Sequence, residues 1–284
     1  MGKADMRKSD IGKADRKSEY EKDQYRKNTG MINRQEIRNQ LEQAAEPDYQ
    51  EFQAKLLPGV SGILGVRVPK LREMAKWIAK ADAHTYLHEM NRSIQNSKAC
   101  GLNCENPSDG ICAELCYEEK MLYGLVIGYA KMDDAQRKEW LDLFVPVIDS
   151  WGVCDSCCLT YKWMKKQSKN WWEYLNKWIL TDSEYGIRFG LVSMLDHFVD
   201  EQHIQQIFAV CDKIYHHGYY VKMAQAWLIS MCFVKFPEQT YQFLQKDKMD
   251  DFTHNKAIQK TCESYRVSKE WKETVRSLKR SYKE

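Results

Sequence analysis

The chain has 284 residues, of which 43% are apolar, only 14 are Gly and 6 are Pro. So few turn-forming residues exclude a sheet protein rich in tight turns and favour helices joined by short connections. No apolar run approaches the roughly 18 residues of a membrane span, and the N-terminus is too charged for a signal peptide, which excludes membrane and secreted proteins. We therefore expect a cytoplasmic protein whose ten Cys are mostly reduced thiols.

The formal net charge of +3 lies entirely in the first 30 residues, which hold nine Lys/Arg and six Asp/Glu. This segment repeats itself, with residues 2–5 returning as 12–15, and its few apolar side chains cannot offset the entropy of ordering. We predict a disordered charged extension over residues 1–30 and a single folded domain over 31–284. Because that domain is neutral overall, binding to a polyanion would need a segregated basic face.

From residue 33 onward, apolar residues recur with the period of an α-helix. The predicted helices, in chain order, lie around 37–41 and over 48–57, 69–81, 82–94, 114–131, 135–148, 151–166, 169–180, 183–199, 201–215, 219–235, 237–246, 251–265 and 269–283. Antiparallel pairs thus return about every 35–40 residues, which is typical of HEAT-like repeats. The pattern predicts an all-α protein, an armadillo-type superhelix built from antiparallel helix pairs.

Residues 95–113 interrupt this pattern with Asn, Ser, Gly and Pro, and they carry a run of cysteines. Cys100, Cys104, Cys112 and Cys116 are spaced C-x3-C-x7-C-x3-C, which could close a tetrahedral zinc site. The spacing lacks the tight C-x2-C pairs of zinc ribbons, so the alternative is a set of reduced bystander thiols. We predict a Cys-rich insert over 95–113 and expect neither a bound metal nor a cofactor.

Trp151 and Asp155 lie four residues apart, so on a helix they share one face. A carboxylate beside an indole face suits a cationic group, because both attract positive charge. The alternative is a core Trp that happens to precede a helix carboxylate. The pair indicates a functional site only if later helices supply partner residues at the spacing of one repeat.

Arg188 and Trp227 supply those partners, each in a helix that is apolar almost all round. A buried Arg must pair with an acid, line a groove or contact an anion, and the sequence leaves an ion pair and a phosphate contact open. Trp227 is either a core residue or a groove wall. Asp155, Arg188 and Trp227 are separated by 33 and 39 residues, about one repeat each, so successive repeats can place them on one concave surface.

These residues and their neighbours resemble the bacterial DNA alkylation-repair glycosylases of the AlkD type. The resemblance covers about residues 33–281. It rests on the order and spacing of Gly65-Val-Arg-Val-Pro-Lys-Leu-Arg72, Trp151-x3-Asp155, Ile187-Arg-Phe-Gly190, Tyr219-Tyr-Val-Lys-Met-Ala-Gln-Ala-Trp227 and His254-Asn-Lys-Ala-Ile-Gln-Lys260.

The resemblance implies a HEAT-like solenoid that cradles double-stranded DNA in its concave face, acting as a monomer in the bacterial cytosol or nucleoid. Members remove N3- and N7-alkylated purines for base excision repair, without flipping the lesion into a pocket. By motif, Asp155 falls on the catalytic carboxylate, Trp151 and Trp227 on the aromatics that pack against the deoxyribose, and Arg188 on the cation near the lesion's phosphate. The lysines implied as further DNA-binding residues are Lys222, Lys256 and Lys260.

The residue types suit this chemistry. An alkylated purine cation leaves without being protonated, so positive charge develops on the sugar, where a preplaced carboxylate stabilises it. The superfamily also contains relatives without glycosylase activity. The alternative function is therefore a catalytically inactive HEAT-like paralogue that binds DNA structures or proteins. The feature that discriminates is whether Asp155 faces a basic groove or is sequestered by a salt bridge.

Overall fold

The structure is a computed structural model that describes residues 32–100, without the side chains of 98–100, and residues 115–281. Within these ranges every regular element is a helix and no strand occurs, so the all-α prediction is confirmed. The extension predicted over residues 1–30 and most of the Cys-rich insert, including Cys104, Cys112 and the side chain of Cys100, lie outside the described residues. In the described part of the chain, no helix combines the length and apolar character needed to cross a membrane.

The helices, in chain order, are α1 (Arg34–Gln43), α2 (Pro47–Leu56), α3 (Val68–Cys100), α4 (Tyr117–Tyr129), α5 (Asp134–Phe144), α6 (Trp151–Cys158), α7 (Ser168–Ile179), α8 (Glu184–His197), α9 (Ile204–Cys211), α10 (Tyr219–Lys235), α11 (Pro237–Leu244), α12 (Asp251–Glu263) and α13 (Lys269–Arg276). Short 3-10 turns cover Val145–Val147 and Lys162–Gln167.

Local sequence signals explain where many helices begin. Pro47 and Pro237 occupy the first positions of α2 and α11, where their fixed φ suits a helix and no N–H is needed. Several other helices follow a polar N-cap whose side chain accepts a backbone N–H three residues on. These N-caps are Asn33, Asp133, Ser150, Ser183, Asp250 and Ser268.

The helices form two layers. In the inner layer the even-numbered helices α4, α6, α8, α10 and α12 pack side by side in chain order, and α3 packs against α4. The outer layer holds the odd-numbered helices from α5 to α13, each packed on a neighbouring inner helix. Outer helices also contact one another, as where the Phe208 and Phe243 rings of α9 and α11 stack 4.5 Å apart.

Several helices are shorter than predicted, such as Ile204–Cys211 and Lys269–Arg276 against the predicted 201–215 and 269–283. Three other predicted boundaries bear on the path of the chain. The break predicted at residue 82 is confirmed, because Asp82 has non-helical backbone angles and separates two helical segments of α3. The second segment continues to Cys100, so the interruption predicted to begin at residue 95 is wrong. The helix predicted over 151–166 ends at Cys158. It ends there because the Thr160 hydroxyl donates to the Cys157 carbonyl, and the Tyr161 hydroxyl donates to the Gly124 carbonyl of α4.

The Gly65–Arg72 motif anchors the N-terminal helices to α4. The buried Glu118 carboxylate accepts the backbone N–H groups of residues 64, 65 and 66 at 2.8–3.2 Å. Gly65 has a φ of +92°, and a Cβ added there would lie 2.6 Å from the Glu46 carbonyl oxygen, so no other residue fits. This anchor fixes α2 and the start of α3 beside the inner layer.

Candidate active site

The centre of the candidate site is an ion pair between α6 and α8. Arg188 donates from Nε to Oδ1 of Asp155 at 2.9 Å and from Nη2 to Oδ2 at 2.7 Å, while its Nη1 donates to the Tyr220 carbonyl of α10 at 2.8 Å. The Arg188 side chain is 7% exposed and that of Asp155 is 17% exposed. Arg188 therefore pairs with an acid, and each of its three nitrogens donates to an acceptor within the protein.

Burial and ion pairing shift the pKa values of Asp155 and Arg188 in opposite directions. Burial raises the pKa of Asp155 above its ordinary value, although the hydrogen bonds and charge of Arg188 and the charge of Lys260 partly oppose the rise. Burial also disfavours the charge of Arg188, but the Asp155 carboxylate prevails and raises the pKa of the guanidinium. Burial thus favours the neutral form of Asp155, whereas the two cations Arg188 and Lys260 favour its carboxylate.

Trp151 is the first residue of α6, one turn before Asp155, and is half-buried. Its indole Nε1 donates to the Leu56 carbonyl at the end of α2, at 3.3 Å. The Ser150 hydroxyl caps α6 by accepting the Val153 N–H at 3.4 Å. The capped start of α6 fixes the backbone of Trp151, and the hydrogen bond to α2 fixes its indole.

Trp227 lies seven residues, or about two turns, beyond Tyr220 on α10, and it packs half-buried against the hydrophobic core. The ion pair reaches α10 through the Tyr220 carbonyl. Thus the structure brings Asp155 and Arg188 into direct contact, keeps Trp151 on the same helix as Asp155, and places Trp227 on the next inner helix after Arg188.

The three predicted DNA-binding lysines have different surroundings. Lys222 forms an ion pair with Asp250 at 3.4 Å, whereas Lys256 donates to the Gln259 side chain at 3.0 Å. Both amino groups lie 5.8 Å from the centre of the Phe252 ring. Lys260, on α12, is the lysine whose charge acts on Asp155.

A comparison with known protein families matches residues 111–261 to the DNA alkylation repair enzyme family. The match covers more than half of the chain and includes Trp151, Asp155, Arg188 and Trp227. The chain belongs to this family. No curated protein and no solved structure matches the chain.

In this member of the family an aromatic residue starts successive inner helices. Tyr117, Trp151, Tyr185 and Tyr219 are each 34 residues apart, and Phe252 follows 33 residues later. We call these five residues the aromatic row. Tyr185 stacks on Tyr220 with centroids 5.5 Å apart, and Tyr219 lies 6.2 Å from Phe252. The row was not predicted from the sequence, although its constant spacing is visible there.

Gly152 is required where the row packs tightly. A Cβ at this position would collide with the Tyr117 hydroxyl, which lies against the start of α6. We expect Gly152→Ala to lower the free energy of unfolding by about 1–3 kcal/mol through overpacking. Thermal melts of Gly152→Ala and of the double variant with Tyr117→Phe check this, because removing the hydroxyl should restore much of the loss. Equal loss in both variants would place the cause elsewhere.

The described residues give no sign of a metal centre. No group of three or more His, Cys, Asp or Glu within them is arranged to hold an ion. Burial raises the pKa of Cys116 to about 12, which disfavours the thiolate that zinc binding requires. The side chains of Cys100, Cys104 and Cys112, the other three cysteines of the predicted set, lie outside the described residues.

Asp196 is a half-buried acid that was not predicted as a site residue from the sequence. It lies on α8, eight residues after Arg188, and lines a cleft of about 220 Å³ with Lys165, His203 and Lys235 among other residues. Burial, reinforced by the charge of Asp155 and opposed by Lys165, raises the pKa of Asp196 to about 7. No sequence signal marked it, because its burial depends on how α8 packs.

Asp196→Asn is expected to stabilise the protein at pH 8 but not at pH 4. Below about pH 4 the carboxyl is protonated in both folded and unfolded chains, so it imposes no penalty. Between pH 4 and 7 the carboxyl is ionised in the unfolded chain but stays largely protonated in the folded protein. The wild-type protein therefore loses free energy of unfolding as the pH rises, by about 2 kcal/mol after allowance for the partial exposure of Asp196. Urea titrations at both pH values measure this. A gain that is the same at pH 4 would mean that ionisation is not its cause.

Proposed function

We propose that this DNA alkylation repair protein is a glycosylase that excises cationic N3- and N7-alkylated purines from duplex DNA. The observation that carries the proposal is the Asp155 carboxylate, oriented by Arg188 on the inner layer, with the Trp151 indole one turn away. The family match supports a role in alkylation repair, and the residue types match the demands of this reaction.

The proposal includes a HEAT-like superhelix whose inner layer forms a concave face for the duplex. Two layers of paired helices and a regular aromatic row support this architecture. Residues 31–284 would form one domain, acting as a monomer. The inner layer carries Asp155, Arg188, Trp227 and Lys260, so a duplex bound there would meet them together.

In the proposed mechanism the alkylated base is already a leaving group, so no general acid is needed. As the glycosidic bond breaks, its electron pair leaves with the base, which becomes neutral, and positive charge develops on the deoxyribose, where Asp155 stabilises it. Water then adds to the anomeric carbon and loses a proton, which leaves an abasic site. A bidentate Arg occupies only part of a carboxylate's acceptor capacity, since two oxygens offer about four lone-pair sites. Arg188 acts as a positioning residue that holds Asp155 ionised, while Trp151 and Trp227 offer indole faces to the cationic sugar.

The second candidate function is that of an inactive paralogue that binds DNA structures or proteins. The specific observation in its favour is the same ion pair, because both Asp155 oxygens accept from Arg188. Two observations indicate that this ion pair does not fully sequester Asp155 from a ligand. Its side chain is 17% exposed, and the charge of Lys260 also acts on it. The two candidates differ in one measurable property, the release of a base.

The test is release of 7-methylguanine and 3-methyladenine from a methylated duplex by the wild-type protein, with a uracil-containing duplex as the neutral-lesion control. We expect both methylated purines to be released and uracil to be retained, because only the cationic bases leave without an acid. Release of uracil at a comparable rate would contradict the mechanism. Binding of duplex without release of any base would support the inactive paralogue.

A further inference from the structure

A polar cleft of about 220 Å³ lies at the end of α8, where Asp196 is about two helical turns beyond Arg188. Its lining is completed by residues from the 3-10 turn before α7, the first residue of α7, the loop between α8 and α9, and the last residue of α10. All of the lining residues except Val199 are polar or charged. None of the four predicted catalytic residues lines the cleft, so the proposed glycosylase chemistry does not account for it.

Two hydrogen-bond acceptors of this lining have no donor. Asp196 is half-buried, and among the described residues none donates a hydrogen bond to its carboxylate or forms an ion pair with it. The neighbouring His197 donates from Nε2 to the Cys158 carbonyl at 2.8 Å. Burial lowers the pKa of His197 to about 4, so near neutral pH its Nδ1 carries a lone pair, for which no described residue supplies a donor. Because a buried acceptor without a donor costs free energy of folding, both groups favour a ligand that supplies N–H donors.

The same cleft also presents donors for an anionic group. Lys235 donates to the Val199 carbonyl at 2.8 Å, which uses one of its three N–H groups and leaves two. The charge of Lys165 acts on Asp196, yet these two described side chains do not form an ion pair. Ser168 begins α7, whose N-terminus has no side-chain cap, so the first backbone N–H groups of that helix attract negative charge. Opposite charges that share a cleft without pairing suit a ligand that carries both charges.

We infer that the cleft binds a free α-amino acid with a short side chain. Its ammonium group contacts Asp196 and His197, and its carboxylate contacts Lys165 and the start of α7. Two lysines and two aspartates line the cleft, and this balance favours a zwitterion over a phosphate or a polyamine. The volume is below the roughly 300–1,000 Å³ of pockets that hold drug-sized ligands, so the ligand is small. The inference is independent of the proposed function, because it involves neither DNA nor a residue of the proposed catalytic site.

The test is a calorimetric titration of the full chain at pH 8, without DNA, using glycine, L-alanine and L-serine as probes. Two fragments of alanine accompany them, ethylamine with only the ammonium group and propionate with only the carboxylate. We expect saturable binding of at least one amino acid with a Kd of about 1 mM or below. Each fragment should bind at least about tenfold more weakly, because it leaves one set of cleft groups unpaired. If no amino acid saturates the protein, or if a fragment binds as tightly, the inference is overturned.

Asp196→Asn connects the binding to this cleft. We expect it to weaken binding of the amino acid by about tenfold or more, because the ammonium group loses its counter-ion. Unfolding would not explain this loss, since the variant is expected to be more stable than the wild type at pH 8. The matched control is Asp182→Asn, which changes an exposed aspartate just before the opposite end of α8 and should leave the affinity unchanged. Wild-type affinity in Asp196→Asn, or an equal loss in Asp182→Asn, would contradict the assigned site.

Discussion

Asp155→Asn is expected to lower the rate of alkylpurine release by about 10²- to 10³-fold, which is typical of losing one electrostatic group at a developing charge. Affinity for undamaged duplex should change far less, because the carboxylate interacts most strongly once positive charge has formed on the sugar. Single-turnover release of 7-methylguanine gives the rate, and a binding titration gives the affinity.

The control for this variant is Asp149→Asn. Asp149 precedes α6, pairs with Lys120 at 2.6 Å and is 40% exposed, so its replacement removes a nearby charge without touching the proposed site. Thermal melts must accompany both variants, since Asn leaves Arg188 without a counter-ion. Wild-type release by a folded Asp155→Asn protein would refute the assigned role of this carboxylate.

Arg188→Gln should have the largest effect on stability. It leaves Asp155 half-buried without its main counter-ion, which costs about 3–5 kcal/mol for a broken buried pair. Burial would then raise the pKa of Asp155 further, because the opposing charge and hydrogen bonds of Arg188 are gone. Since the ionised carboxylate is the active form, the acidic limb of the rate–pH profile should move to higher pH.

Arg188→Lys separates charge from geometry. It keeps a cation near Asp155 but cannot donate to both carboxylate oxygens and the Tyr220 carbonyl. We expect a smaller loss of stability and an acidic limb between those of wild type and Arg188→Gln. Identical profiles for all three proteins would show that Arg188 does not tune Asp155, even if stability falls as expected.

The helical architecture was largely predictable, because each amphipathic helix carries its own apolar period and many begin at a recognisable cap or proline. The failures occurred where tertiary contacts override local pattern. The Asn- and Ser-containing segment 95–100 is helical as the end of α3, and α6 stops early because Thr160 and Tyr161 form hydrogen bonds near its end.

The candidate site was predictable in its residues but not in its pairings. Repeat spacing pointed to Asp155 and Arg188, yet the sequence left the ion pair and a phosphate contact open for Arg188. The distance between the two groups depends on how α6 and α8 pack, which no local pattern encodes. The same holds for the raised pKa of Asp196, since it depends on atoms from other helices.

The aromatic row sets a length for the ligand. It runs over five consecutive inner helices, from Tyr117 to Phe252, and packed helices lie about 8–10 Å apart, so its ends are separated by about 32–40 Å along the layer. One turn of B-form DNA is about 34–36 Å long. Tyr117 is buried against the start of α6, so a duplex held along the inner layer would meet the other four aromatic residues, one about every three base pairs. The shortest substrate that contacts every inner helix would be about ten to twelve base pairs.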